Sequence, residues 1–207
     1  LKNLLQYRAD LLIGSASTAI YQGMTIVFIS VIFTKVRVIE GWGLYEVVLI
    51  YGLVTTSRHL SDLFFNMPWS LHWHIIYGRL DTVLVRPVSP LFQMVGEEGF
   101  QLLSIGHSAV GLAAIAFALR GLDLQFQAWW LIYLPAVLVS GALVLFAVKL
   151  MAASVAFWMT SVRSIMNPLT WFTDFAQFPA VIYPLPVLFV LTWVLPYAML
   201  GFYPAAY

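Results

Sequence analysis

The sequence predicts an all-α integral membrane protein with six crossings, and three observations lead there. Of the 207 residues, 62% are hydrophobic and only 9% are charged, whereas soluble domains are roughly 45–50% apolar and about 25% charged. So few charges cannot cover a water-facing surface, which excludes the soluble globular and disordered classes. Apolar stretches repeatedly reach the ~20 residues that a crossing helix needs, and residues 129–158 form a nearly unbroken apolar run. Such runs lack the alternating polarity of a membrane β-barrel. The net charge of +1 provides no long-range field for nucleic acid. With no cysteine, disulfides, thiolate catalysis and Cys-ligated metals are excluded.

The elements follow in order. Residues 1–8 set Lys2 and Arg8 among leucines, the pattern of a short interfacial helix. Residues 11–33 form the first span. Lys35, Arg37 and Glu40 make a polar loop closed by Gly41-Trp42-Gly43, with Trp42 and Tyr45 suited to a membrane interface. The second span, residues 44–65, carries Arg58, His59 and Asp62 in its last third. Residues 66–98 are the longest polar stretch, and residues 100–119 the third span. After a loop and the interfacial pair Trp129 and Trp130, residues 129–159 exceed one perpendicular crossing, so this fourth span tilts or protrudes. The fifth, residues 165–178, is short. Pro179, Pro184 and Pro186 then break regular helix. Irregular backbone survives in a bilayer only where protein or a watery cavity satisfies it, so this Pro-rich segment reads as re-entrant or pore-lining. Residues 187–204, interrupted by Pro196, complete six spans within one domain, residues 1–207.

No internal repeat supports the inverted architecture of many secondary carriers. Lys2, Arg8, Arg58, Arg79, Arg86 and Arg163 fall on one side, against Lys35, Arg37 and Arg120 on the other. The positive-inside rule therefore puts both termini and residues 66–98 in the cytoplasm. A start at Leu1 without Met, and an end at Tyr207 within an apolar stretch, predict further residues at both ends.

The motif search removes several chemistries. Lysines stand only at positions 2, 35 and 149, none after a glycine, so a Walker A phosphate loop is absent. Neither H-E-x-x-H nor G-x-S-x-G occurs. His72 and His74 are two residues apart, on different helix faces, and read as solvated or interfacial rather than as a metal pair. Among charges at membrane depth, Arg58 and Asp62 have i,i+4 spacing for an ion pair at the inner mouth. Lys149 costs about 2.5–3.5 kcal/mol at mid-bilayer unless its stem carries the ammonium to the surface. Asp174, between Phe172 and Phe175, is a gate or pathway candidate together with Pro179, Tyr183 and Pro184. Ser104, Ser108 and Gly111 share a face of the third span and suit close helix packing.

Trp69, Trp73, Ile76 and Leu80 fall at i, i+4, i+7 and i+11, one helical stripe. It fits a helix lying on the membrane or a ridge for a soluble partner's groove. The surrounding motifs choose between these. Gly78-Arg79-Leu80-Asp81, then Leu84, Arg86-Pro87 and Pro90-Leu-Phe-Gln93, resembles the segment after the second span of ABC-2 type permeases, closest to the ABC-2 family transporter permease group. Gln6-Tyr7-Arg8-Ala9-Asp10, Ala156-Phe157-Trp158, Phe178-Pro179 through Tyr183-Pro184, Val194-Leu195-Pro196 and Tyr203-Pro204-Ala205 resemble that group in the same order along nearly the whole chain. Lys149 departs from it.

The resemblance implies a six-helix permease half working with a second permease, identical or sister, in a bacterial-type cytoplasmic membrane. It implies a cytoplasmic ATPase dimer that binds ATP and Mg and docks on a coupling helix. The docking set is Trp69, Trp73, Ile76, Gly78, Arg79, Leu80, Asp81, Arg86 and Pro87. It leaves this chain without catalytic residue, metal or cofactor of its own. The expected role is an ATP-driven exporter subunit; the rivals are an ATP-independent channel or carrier and a membrane scaffold. The substrate, whether drug, lipid, peptide or saccharide, stays open.

Overall fold

The computed structural model describes residues 8–122, 127–159 and 161–206. The expected interfacial helix lies outside them except for Arg8, which opens helix α1, Arg8–Lys35. Its 28 residues make a rod of about 42 Å, longer than a 30 Å hydrocarbon core. Lys35 ends it, a cation on the negative end of the helix dipole. Ile39 and Trp42 then exchange both backbone hydrogen bonds at 2.9 Å across Glu40 and Gly41. Both central residues have positive φ, 49° and 87°. A two-residue turn of this hand requires that conformation, which explains Gly41.

The turn reverses the chain into α2, Leu44–Phe64. Every residue from 47 to 57 is buried, so α2 is the axis of the bundle. Around it stand α1 and two later helices, here α6, Leu103–Gly121, and α7, Trp130–Ala153. The approach is close because the contact residues are small. A Cβ on Gly52 would lie 2.7 Å from Ile115 Cγ1 and 2.9 Å from the Gly111 carbonyl oxygen. A Cβ on Gly141 would lie 2.7 Å from Ser57 Oγ. The small-residue packing expected at Gly111 is therefore present.

Among the described residues, three segments are long and apolar enough to cross a membrane: Ile13–Lys35, Leu103–Gly121 and Trp130–Phe157. With α2, whose 21 residues span about 31 Å, they make four antiparallel rods. Helix α2 carries Glu46, Arg58, His59 and Asp62 and so fails a hydropathy test. Its neighbours shield it from lipid.

Residues 66–98 do not form the single stripe expected. They fold as a short turn Met67–Trp69 and three helices: α3, Leu71–Ile76; α4, Arg79–Leu84; and α5, Pro90–Glu98. Gly78, at φ 65°, breaks the stripe by turning the chain between α3 and α4. Met67, Leu71, Val83 and Met94 then close a small core over Ala153 at the end of α7. Leu80 packs against this core and Trp69 against Ala152, Ala156, Val162 and Met166. Trp73, Ile76 and Tyr77 are left exposed.

The C-terminal third departs most from expectation. Helix α8, Arg163–Phe175, climbs from the Ala153 end of the bundle. A turn at Ala180–Ile182 reaches Phe33 and Ile39, at the opposite end. Residues 163–182 thus run from one end of the bundle to the other, irregular in their upper part. The segment expected as the sixth span, residues 187–204, is not one continuous helix. Helix α9, Leu185–Phe189, continues as a wider turn Val190–Val194 and stops at Leu195 and Pro196. Those ten residues cover only about 15 Å. The chain returns through Tyr197–Leu200 and α10, Phe202–Ala205, to lie beside Trp129, Trp130 and Tyr133. Residues 187–204 therefore leave and re-enter the same end, because proline supplies no N–H and ends the helix half-way. Ala206 lies at the opposite end from Arg8, whereas the sequence reading put both on one side.

Replacing Gly52 by Ala should push α2 and α6 apart. An overpacked contact of this kind costs about 1–3 kcal/mol. Thermal unfolding of the purified protein in detergent should show a clearly lowered midpoint; an unchanged midpoint would contradict the close packing described.

Candidate functional site: a polar cluster between the helices

Two ion pairs join the helices: Lys149 and Asp62 lie between them, whereas Arg58 is partly and Asp174 half exposed. Lys149 Nζ of α7 donates to Asp62 Oδ1 of α2 at 2.5 Å, its side chain only 4% exposed. Arg58 Nη1 of α2 donates to Asp174 Oδ1 of α8 at 2.6 Å. The intrahelical Arg58–Asp62 pair expected from spacing is not formed. Both residues pair across helices instead, because α7 and α8 bring complementary charges within reach of them. Lys149 does not reach the surface either; Asp62 answers its charge in place.

A second layer of neutral polar groups lies beside these pairs. Gln22 of α1 is 6% exposed. Its Nε2 donates to His59 Nε2 of α2 and to His107 Nδ1 of α6, both at 2.8 Å. With the amide nitrogen donating to both rings, His59 Nε2 and His107 Nδ1 act as acceptors, which leaves His59 Nδ1 to face Asp62 Oδ2 of α2 at 3.7 Å. The two imidazoles pack with centroids 4.1 Å apart. Tyr51 Oη donates to the Gln22 carbonyl at 3.1 Å, tying α1 to the axis a second time. Gln22 Oε1 has no partner although buried.

Two cavities flank this layer. One, of about 300 Å³, is lined by Tyr21, Gln22, Thr55, Arg58, Asp174 and Gln177 among others. The other, of about 390 Å³, lies toward the short-helix cap and is lined by Ser17, Thr18, Asp62, Trp69, Gln101 and Ser104 among others. Both share Arg58, His59 and His107. Polar cavities thus stack along the bundle on the side of α1, α2, α6 and α8, with the arginine and two histidines as the wall between them. Such a wall suits the passage or holding of a polar group.

The other expected site residues are distributed as follows. Trp73, Ile76, Arg79, Asp81 and Pro87 are exposed on the cap, with Trp73 and Tyr77 stacked at 5.5 Å. Arg79 and Asp81 are not paired with each other, and Arg86 Nη1 bonds Glu97 Oε1 of α5 at 2.8 Å. Trp69 and Leu80 turn inward, as described. His72 and His74 are buried rather than solvated. Tyr183 Oη donates to the Phe175 carbonyl at 2.9 Å and so folds the Pro-rich turn back on α8, with Pro179 at its base and Pro184 capping α9. Asp174 belongs to the polar cluster through Arg58. Sequence reasoning passed over Gln22, His107 and Tyr51. The available signal was a lone amide or imidazole inside an apolar span.

The family described as ABC-2 family transporter protein matches residues 19–207. No curated protein and no solved structure matches the chain.

Removing one member of the Lys149–Asp62 pair should be far worse than removing both. Lys149→Met leaves Asp62 unanswered and should cost about 3–5 kcal/mol, whereas Lys149→Met with Asp62→Leu should be near neutral. Thermal unfolding of both variants in detergent checks this; equal losses would mean that the pair is not buried as described.

Proposed function

The chain belongs to the ABC-2 transporter family, and from that membership we propose that it is the permease subunit of an ATP-driven exporter. Family membership makes it an integral membrane component of an ABC transporter, a partner of an ATP-binding cassette ATPase and not the catalytic subunit. The finer assignments are ours. The observation that carries them is the stack of two polar cavities walled by Arg58, His59 and His107 between helices apolar enough to cross a bilayer. A scaffold has no need of paired charges facing a cavity at that depth, since each must be answered at a cost in folding.

In this reading substrate passes along the α1–α2–α6–α8 side. A second permease, identical or sister, closes that side, where Asp174 is half exposed. The cap formed by residues 66–98 faces the cytoplasm of a bacterial-type membrane and receives the ATPase dimer, which binds ATP and Mg. Its exposed Trp73, Ile76 and Tyr77 form the apolar contact, with Arg79 and Asp81 setting register. The exposed part of the coupling set is thus narrower than the nine residues from Trp69 to Pro87 that the resemblance implies, since Trp69 and Leu80 turn inward. ATP binding closes the ATPases, the cap moves as a body on the end of α7, and α8 with its Pro-rich turn opens or closes the far end. Asp174, Pro179, Tyr183 and Pro184 are the gate residues.

Trp73→Glu puts a charge into the proposed contact and should abolish co-purification of the ATPase while leaving the permease folded; complex at wild-type level would count against the docking face. Pro184→Ala should lower ATP-dependent transport by the reconstituted complex several-fold with assembly unchanged. Undiminished transport would remove the Pro-rich turn from the gate.

A further inference from the structure

The cavity bounded by Arg58 and Asp174 has an apolar neighbour. Phe178 lines it and also lines a second space of about 320 Å³, walled by Ile29, Phe33, Val47, Pro179 and Ile182. The polar cavity measures about 300 Å³. Each is near the lower bound of roughly 300–1,000 Å³ for ligand sites. One compartment is therefore polar and carries both signs of charge, the other is apolar, and one ring separates them along the same side of α1.

Resting on the permease reading, we propose that these two compartments together hold a zwitterionic amphiphile, its headgroup between Arg58 and Asp174 and its apolar chain beside Pro179 and Ile182. The charges decide the headgroup. Arg58 and Asp174 answer each other across two helices. An anion entering alone would take Arg58 and leave the Asp174 carboxylate without its guanidinium; a cation alone would strand Arg58. A zwitterion answers both and keeps the site neutral. The guanidinium fork matches a phosphate or carboxylate, and the half-exposed Asp174 carboxylate is accessible to an ammonium. The apolar compartment excludes a free zwitterion as the best occupant, since its walls bring no polar group from α1 and only Tyr183 from the turn.

The test uses the full-length permease purified with its ATPase in a neutral maltoside detergent, titrated with lysophosphatidylcholine, with lysophosphatidylglycerol of the same chain length, and with chain-free phosphocholine. Binding is read by native mass spectrometry. Lysophosphatidylcholine should bind at least about tenfold tighter than either comparator, a difference near 1.4 kcal/mol. Asp174→Asn should abolish the preference over the anionic lysolipid. The exchange Arg58→Asp with Asp174→Arg should keep it, and Ile182→Trp should weaken both lysolipids alike. Equal affinity of the wild-type protein for the two headgroups, equal affinity for chain-free phosphocholine, or an undiminished preference in Asp174→Asn overturns the proposal. Retention of the ATPase is scored in the same sample. An ATPase-bound permease without headgroup preference sinks this inference and spares the permease reading. Selective binding without any ATPase does the reverse.

Discussion

Charges placed inside a membrane protein must be answered by one another, and that requirement organises this bundle. Arg58 and Asp62 leave the same turn of α2, yet each finds its counter-charge on a different helix, Asp174 on α8 and Lys149 on α7. One helix therefore fixes the level of two others. Because a buried ion left without its partner costs several kcal/mol, sliding either helix by a turn, about 5.4 Å, would strand at least one charge. The pairs set register more than they add stability, since an apolar replacement of both partners is often no worse.

The same requirement explains why α2 is the axis. A helix with an arginine, an imidazole and an aspartate within five residues cannot face lipid, so its neighbours must surround it. They can do so only if backbones approach closely, and Gly52, Gly111 and Gly141 stand where side chains would otherwise keep α6 and α7 away. Ser57 and Ser61, fully buried on α2, add little bulk of their own. Small residues and paired charges are two halves of one solution: the first lets the helices meet, the second says at what height.

Much of this was legible in the sequence. Composition established the membrane class, and apolar run length located α1, α6 and α7 within a few residues. The small-residue face around Gly111 and the break at the prolines were readable because each rests on a local rule of backbone geometry. What was not legible depends on which helices are neighbours. Arg58 and Asp62 have ideal spacing for each other, and nothing local says that Asp174 and Lys149 lie closer. Residues 187–204 have the composition of a crossing, but direction of travel is not a property of composition. The Trp69–Leu80 stripe failed for a local reason that was visible, Gly78. A helical period was given more weight than the residue best able to interrupt it.

That interruption changes the mechanical argument about the cap. A single amphipathic helix on the membrane would be tethered only at its ends and would slip before it transmitted force. Three short helices closed on Met67, Leu71, Val83 and Met94, and seated on Ala153, form a body with its own core. Arg86 bonded to Glu97 ties the end of α4 to α5 on the outside. A packed core deforms little, so a displacement imposed at Trp73 and Tyr77 reaches the end of α7 largely undiminished. Four residues before Ala153 on that helix stands Lys149, bonded to Asp62. The route from the exposed aromatics to the polar cluster therefore runs through one small core, one turn of helix and one ion pair.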